Sequence, residues 1–198
     1  MPVVNKRIYL ASRSPRRRDL LKQIGASFDL LIPDVNEAPL EKEAPTDYVL
    51  RISRIKAEVG WMLVVERKLP RFPVLAADTV VVSGRQIIGK PSGRHEAMEM
   101  LRLLSASSHK VLTAVSVAHA GRLEQRLSVS KVRFKSLTEH EIRRYAATGE
   151  PLGKAGAYAI QGHAAAFIEK IEGSYSGVMG LPLYETAELL ALFGIAVL

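Results

Sequence analysis

Residues 74–82 form a nearly continuous apolar run that is interrupted only by Asp78 and Thr79. Such a run is typical of a central β-strand that other elements cover on both faces. A carboxylate within this strand is costly to bury unless it is paired or bound to a metal ion. Two interpretations of Asp78 follow. It lies in a cleft as a base or metal ligand, or it is an inward-pointing acid that Lys90 or an arginine neutralises.

The segments around this run predict a mixed α/β fold. Ser14 and Pro15 suit the N-cap and first turn of a helix that Gly25 ends. Thr138 and Glu141 have the spacing of a capping box for a helix that ends at residue 147. Further strands are expected at residues 7–11, 29–32, 86–88, 109–119 and 122–134. Further helices are expected from residue 46 onward, at 94–104 and at 182–193. Short strands are expected within the glycine-rich segment 149–180. Because helices and strands do not alternate regularly, we expect a mixed twisted sheet with flanking helices.

The helix from residue 46 is expected to bury one apolar stripe. Its members recur at steps of three and four residues: Tyr48, Ile52, Ile55, Val59 and Met62. Lys56 then lies on the flank of the stripe, about 80° from its centre at 100° per residue.

Length and composition indicate a single globular domain over residues 1–198. The sequence has no cysteine, which excludes disulfides, thiolate nucleophiles and zinc sites that use sulfur. No apolar stretch reaches the roughly 20 residues that span a bilayer, and no apolar signal-peptide core precedes Arg13. We therefore expect a cytoplasmic protein.

The net charge of +8 is concentrated near the N-terminus. Residues 1–18 contain no acid and six basic residues, which are Lys6, Arg7, Arg13, Arg16, Arg17 and Arg18. Consecutive arginines in the first turn of a helix interact unfavourably with the positive end of the helix dipole. We therefore prefer the interpretation that they bind an anionic ligand to the alternative that they are a solvated run on the surface. The helix N-terminus with the Ser12 and Ser14 hydroxyls suits a phosphate. Aromatic residues do not interleave with the cluster, which argues against nucleic acid as the partner.

Three weaker motifs do not define a site of their own. Residues 84–91 nearly match a phosphate-binding P-loop, but Pro91 stands where serine or threonine would bind magnesium, so only Lys90 is retained as a phosphate contact. Residues 173–177 have tyrosine where a nucleophile elbow has serine. The five histidines lack metal-ligand spacing.

Five blocks of sequence together resemble the Maf family of nucleotide pyrophosphatases. They are Leu10-Ala11-Ser12-x-Ser14-Pro15-Arg16-Arg17, Ala77-Asp78-Thr79-Val80-Val81, Gly89-Lys90-Pro91, Lys154-Ala155-Gly156-Ala157-Tyr158-x-Ile160-Gln161-Gly162 and Gly173-Ser174-Tyr175-Ser176-x-Val178-x-Gly180-Leu181-Pro182. Within the family, the chain is similar to the branch that acts on dTTP and UTP. Gly177 departs from the asparagine that is frequent at its position, which affects only the local loop.

The resemblance implies a two-lobed α/β fold around a central cleft, as in inosine triphosphatases. It implies hydrolysis of dTTP and UTP to the monophosphate and pyrophosphate, which limits nonstandard or excess nucleotides, with Mg²⁺ or Mn²⁺ as cofactor. It also implies a cytoplasmic location and a homodimer. A competing interpretation is a non-catalytic nucleotide- or nucleic-acid-binding regulator of cell division, which leaves Asp78 unexplained.

The resemblance also assigns roles to individual residues. The catalytic acid is Asp78, and Glu37 joins it as a metal ligand. Phosphate contacts fall on Ser12, Arg17, Lys56 and Lys90, and base selection on Arg16, Thr79 and Gln161. The alternative for Gln161 is a hydrogen bond to the backbone of its own glycine-rich loop.

Overall fold

The structure is a computed structural model that describes residues 7–197. Lys6 of the basic cluster lies outside this range. The strands are β1 (Arg7–Leu10), β2 (Ser27–Leu30), β3 (Val74–Ser83), β4 (Gln86–Ile88), β5 (Ser108–His119), β6 (Arg122–Phe134) and β7 (Ile168–Glu172). The α-helices are α1 (Pro15–Gln23), α2 (Pro45–Glu66), α3 (Arg94–Leu104), α4 (Glu139–Ala147), α5 (Tyr175–Met179) and α6 (Leu183–Leu192), with 3-10 turns at Ala155–Ala157 and His163–Phe167.

The described strands form one mixed sheet in the order β2-β1-β3-β5-β6-β7, with β4 paired to β3. Strand β1 runs parallel to β2 and β3, whereas β3 pairs with β4 and β6 with β7 in antiparallel fashion. The expected mixed α/β class is therefore confirmed. Residues 74–83 form the predicted buried strand, in which Asp78 is 7% exposed.

The chain divides into two compact units. The first comprises the described parts of Met1–Asp78 and Gly180–Leu198 together with Thr113–Ser128, and the second comprises Thr79–Leu112 and Val129–Met179. Small and aromatic side chains from β1, α2 and β3 form a core cluster in the first unit, including Tyr9, Ala57 and Val74. In the second unit, Phe134 and Tyr158 belong to a larger aromatic and aliphatic cluster.

Local capping signals located helices α1 and α4 correctly. Helix α1 begins at Pro15 after the N-cap Ser14, although the Ser14 side chain makes no capping hydrogen bond. Helix α4 has the predicted capping box, in which Thr138 Oγ1 accepts from the Glu141 N–H and the Glu141 carboxylate accepts from the Thr138 N–H.

The predicted buried stripe of α2 is correct only in part. Ile52 is buried as expected, but Met62 is 66% exposed. The other buried residues of the helix are Val49, Ser53, Ala57, Gly60 and Val64. The helix also begins earlier than expected, with Ala44 as its N-cap. A side chain on Gly60 would place its Cβ 2.7 Å from Cγ1 of Val74, so the helix packs against β3 through small residues. Apolar periodicity favours large residues and therefore missed this face.

The glycine-rich segment 149–180 contains one strand, β7, rather than several short ones. Its remaining residues form 3-10 turns, loops and the short helix α5. Positive φ at Gly153, Gly156 and Gly173 explains the difference, because a strand cannot continue through that conformation. Within residues 7–197, no helix combines the length and the apolar character that crossing a membrane requires.

Candidate active site

Asp78 and Glu37 share one ammonium group in the first unit. Lys56 Nζ lies 2.8 Å from Asp78 Oδ1 and 2.9 Å from Glu37 Oε1. The Lys56 and Asp78 side chains are only 12% and 10% exposed, whereas Glu37 is 44% exposed. The ion pair of Asp78 is therefore with Lys56, where the sequence suggested Lys90 or an arginine.

Lys56 reaches this position because it lies on the buried face of α2, not on its flank. Ser53, Ala57 and Gly60, at neighbouring positions on the helix surface, are all buried. Their small size lets the helix backbone approach the sheet closely, as the Gly60 contact with Val74 shows. A buried lysine with a buried aspartate is retained at a cost in desolvation, so the pair is expected to serve a function.

A buried polar network fixes α2 against the sheet. Ser53 Oγ and Ser116 Oγ are 2.6 Å apart, and neither residue is exposed. Gln125 Nε2, which has two N–H donors, lies 2.8 Å from both hydroxyls and from the carbonyl oxygen of Leu50. The network ties the helix to β5 and β6 one turn before Lys56, which restricts the position of the ammonium group.

The loop that carries Glu37 is also attached to α2. The Tyr48 hydroxyl donates to the carbonyl oxygen of Glu37 at 2.9 Å, and Arg51 Nη2 donates to that of Ala38 at 3.1 Å. Arg51 also forms two hydrogen bonds with the Glu43 carboxylate, at 2.5 and 2.7 Å. Burial raises the pKa of Tyr48 to about 12, and the nearby Asp78 and Glu37 carboxylates add to the shift. The hydroxyl therefore remains a hydrogen-bond donor at neutral pH.

Sequence reasoning missed these attachment residues. By its spacing Tyr48 fits the predicted apolar stripe, and no motif includes Arg51 or Glu43. Arg51 lies eight positions after Glu43, and Glu43 precedes the helix, so no helical charge spacing identifies the pair.

Arg17 is buried and hydrogen-bonded to the protein. Its Nε donates to the carbonyl oxygen of Gly180 at 2.7 Å, and its Nη1 donates to Ala77 O at 2.6 Å and to Ser12 Oγ at 3.3 Å. Burial lowers the pKa of Arg17, while Asp78 and Glu37 oppose that shift electrostatically. Arg17 thus holds the carbonyl group directly before Asp78. Burial also lowers the pKa of the half-buried Arg16.

The N-terminal basic residues do not act as a single group. Arg7 forms two hydrogen bonds with the Asp29 carboxylate of the adjacent strand, at 2.9 and 2.8 Å. Arg17 is directed toward backbone carbonyls. At least these two cations have partners within the protein, so the charge concentration along the sequence overstates the charge open to a ligand.

The other predicted residues belong to the second unit. Lys90 and Gln161 are exposed, and Thr79 is half-buried on β3. The Gly156 N–H donates to the carbonyl oxygen of Gly89 at 3.0 Å, which links the segment before Lys90 to the segment that leads to Gln161. The structure thus brings Ser12, Arg17, Glu37, Lys56 and Asp78 together in the first unit, while Thr79, Lys90 and Gln161 lie in the second.

The donor set suits a divalent cation whose other ligands come from a substrate. Across residues 7–197, no group of three or more histidine, cysteine or acidic side chains is arranged to hold a metal ion. Glu37 and Asp78 do converge on one cationic group. Mg²⁺ is commonly held by one or two carboxylates together with water and substrate phosphates. These two residues therefore fit the expected metal.

Comparison with known proteins identifies the class. A family model described as Maf-like protein matches residues 7–193, so the chain belongs to this family. The resemblance seen in the five sequence blocks is confirmed.

Individual relatives carry a more specific name. The chain is 54% identical to the dTTP/UTP pyrophosphatase of Nitrosomonas europaea and 55% identical to that of Nitrosospira multiformis, with 96% of each chain covered in both comparisons. Among solved structures, the Ham1 protein of Staphylococcus aureus covers 65% of this chain and 71% of its own, at 12% identity and a TM-score of 0.45. At this level of similarity, we draw no conclusion from the match.

Proposed function

We propose that this protein hydrolyses dTTP and UTP to the nucleoside monophosphate and pyrophosphate, and so limits nonstandard or excess nucleotides. The observation that carries the proposal is the buried Asp78 carboxylate, which shares the Lys56 ammonium with Glu37. It occurs in a chain of the Maf-like family that is more than half identical to two dTTP/UTP pyrophosphatases.

The main requirement of the reaction is neutralisation of the negative charge on the phosphates. Cleavage of a phosphoanhydride needs neutralisation of phosphate charge and a positioned water, with little covalent work by the protein. Asp78, Glu37 and Lys56 together carry a net charge of −1 when all three are ionised, so a triphosphate needs further cations at this site. Glu37 and Asp78 would hold Mg²⁺ or Mn²⁺, which supplies charge neutralisation to the phosphates when bound.

We assign to Asp78 one of two roles in activating the attacking water. It accepts a proton from the water, or together with Glu37 it binds the divalent metal. Lys56 holds the two carboxylates close to each other before substrate binds. When a triphosphate enters, the same ammonium is available to phosphate oxygens. Ser12, Arg17 and Lys90 complete the proposed phosphate contacts.

Base selection is proposed for Arg16, Thr79 and Gln161. The Gln161 amide offers one acceptor and two donors, so it accepts from N3–H of uracil or thymine and donates to a neighbouring carbonyl. Guanine presents two adjacent donors, which suit a carboxylate better. A positive Arg16 also disfavours a cationic 7-methylated purine.

We also propose a cytoplasmic location and a homodimer. The nucleoside triphosphate is the proposed partner, and nucleic acid is not. A regulator without turnover has no need for a buried Asp78 paired to Lys56, so this alternative is less well supported.

The test is a panel of UTP, dTTP, CTP, GTP and 7-methyl-GTP with magnesium, assayed for pyrophosphate release. We expect UTP and dTTP to be the preferred substrates. Gln161→Glu should lower kcat/KM for these two by roughly 5- to 150-fold, since a mismatched polar contact costs about 1–3 kcal/mol. An unchanged ranking in the variant would remove Gln161 from base selection, and no pyrophosphate from any nucleotide would refute the proposed function.

A further inference from the structure

We propose that Glu150 and Tyr145 are positioning residues for base selection, because together they fix the backbone on both sides of Gln161. The inference rests on the base-reading role proposed for Gln161. All of the contacts involved lie within the second unit.

Glu150 holds the backbone that follows Gln161. Its Oε2 accepts from the His163 N–H at 3.1 Å and is 2.9 Å from His163 Nδ1. Its Oε1 accepts from the Ala164 N–H at 3.4 Å. These N–H groups belong to the first turn of a 3-10 helix that begins at His163, where donors otherwise lack partners.

Tyr145 holds the backbone that precedes Gln161. Its hydroxyl donates to Glu150 Oε1 at 2.8 Å and accepts from the Ala159 N–H at 3.2 Å. The Tyr145 hydroxyl and the Glu150 carboxylate are therefore bonded to each other, and together they contact the backbone two residues before Gln161 and two and three residues after it.

Gly162 shows how closely the carboxylate packs on this segment. A Cβ added there would lie 2.4 Å from both carboxylate oxygens of Glu150. Only glycine leaves room for the carboxylate against the backbone next to Gln161. The glycine after Gln161 in the sequence block is thus explained by close approach.

In the clamp formed by Tyr145 and Glu150, the tyrosine is buried and the carboxylate is largely shielded from solvent. The Glu150 side chain is 17% exposed, Tyr145 is 3% exposed and Ala159 is 5% exposed. Burial alone would raise the pKa of Glu150, but hydrogen bonds from His163, Tyr145 and Ala164 lower it below its ordinary value. The carboxylate is accordingly ionised and acts only as an acceptor at neutral pH.

A fixed backbone is important for base selection because the Gln161 amide can present two opposite arrangements of hydrogen-bond donor and acceptor to a base. In one orientation it accepts from N3–H of uracil, and after a half-turn of the amide it donates to N3 of cytosine. Gln161 itself is exposed, so its neighbours must set the direction in which the side chain leaves the backbone. Loosening the clamp should therefore raise the relative use of CTP.

The experiment compares Glu150→Gln and Tyr145→Phe with the wild-type protein. Glu150→Gln keeps the shape and one acceptor oxygen but removes the charge. Tyr145→Phe removes only the hydroxyl and keeps the ring against Phe167, whose centroid lies 5.2 Å away. The matched control is Glu141→Gln, because Glu141 accepts from Lys135 and from the Thr138 N–H in the same unit without contacting residues 159–164.

The readouts are the ratio of kcat/KM for UTP to that for CTP, and hydrogen exchange of the amides in residues 159–164. We expect the ratio to fall about fivefold or more in both test variants, as for the loss of one hydrogen bond, with faster exchange in that segment. Glu141→Gln should change neither quantity. If Glu150→Gln does not fold, Tyr145→Phe alone decides.

An unchanged ratio in a folded test variant, or an equal fall in Glu141→Gln, would overturn the inference. Unchanged exchange in residues 159–164 would overturn it as well. Failure of the proposed function looks different, because the wild-type protein would then release no pyrophosphate from UTP.

Discussion

The Arg17 guanidinium combines a structural and an electrostatic role. It donates to the carbonyl oxygens of Gly180 and Ala77, and it lies within the electrostatic influence of Asp78. Lys90, in contrast, is exposed. The two cations share the proposed phosphate role but differ in their importance for folding.

Arg17→Ala and Lys90→Ala should separate these roles. Both should lower kcat/KM for UTP without changing the order of preferred bases, because each removes a charge that stabilises the triphosphate in the transition state. Only Arg17→Ala should destabilise the fold, by about 2 kcal/mol or more, since hydrogen bonds from a charged group contribute about 1.5–3 kcal/mol each. Thermal unfolding beside steady-state kinetics measures both effects. A change of preferred base, or an unaltered Tm for Arg17→Ala, would contradict this assignment.

His109 is a buried titratable residue in the second unit. It is 2% exposed, its Nε2 lies 2.9 Å from the Tyr158 hydroxyl, and its Nδ1 has no hydrogen-bond partner among residues 7–197. Burial lowers the pKa of His109 to about 4. The folded protein therefore keeps this imidazole neutral at a pH where the unfolded chain protonates it.

Acid should destabilise the protein through His109. Between the ordinary pKa of about 6.5 and the folded value, the unfolded state binds more protons, so stability falls as pH falls. Between pH 7 and pH 4.5, the wild-type protein should lose about 2 kcal/mol more than His109→Gln, which cannot titrate. Urea unfolding at both pH values measures the difference. Equal losses would show that His109 does not contribute.

Among the elements, α2 does most to form the candidate active site. It carries Lys56, and through Tyr48 and Arg51 it holds the loop of Glu37. Gly60 lets the helix approach β3, on which Asp78 lies. The exposed Met62 and the buried Gly60 show why apolar periodicity placed the buried face incorrectly: this face includes the small residues Ser53, Ala57 and Gly60, which an apolar stripe does not count.

Gly60→Ala should destabilise the protein by about 1–3 kcal/mol, the usual cost of an added methyl group in a packed interface. Val74→Ala removes the methyl groups that the new Cβ would meet. In that background Gly60→Ala should become neutral or stabilising, because alanine is favoured over glycine inside helices by about 1 kcal/mol. A double-mutant cycle by chemical unfolding gives the coupling. Additive effects would contradict the close approach of α2 to β3.

The class of fold and the family could be predicted from the sequence, but the ion pairs of the candidate active site could not. Helices α3 and α4 and strand β6 were predicted with their observed bounds, because capping residues and alternation are local signals. The ion pair of Asp78 is with Lys56 rather than Lys90, and this pairing depends on how α2 packs against β3, which local patterns do not show. The Tyr145–Glu150 contacts with residues 159–164 were also beyond local patterns, since they depend on how distant segments pack.

We attribute hydrolysis of the triphosphate mainly to the Asp78 carboxylate, which pairs with Lys56 beside Glu37. The variant Asp78→Asn is the test of this role, because the change keeps the volume and removes the charge. Pyrophosphate release from UTP in the presence of magnesium should fall by roughly 10²-fold or more, while the circular dichroism spectrum and cooperative thermal unfolding are retained. A folded Asp78→Asn protein that releases pyrophosphate at nearly the wild-type rate would contradict the account.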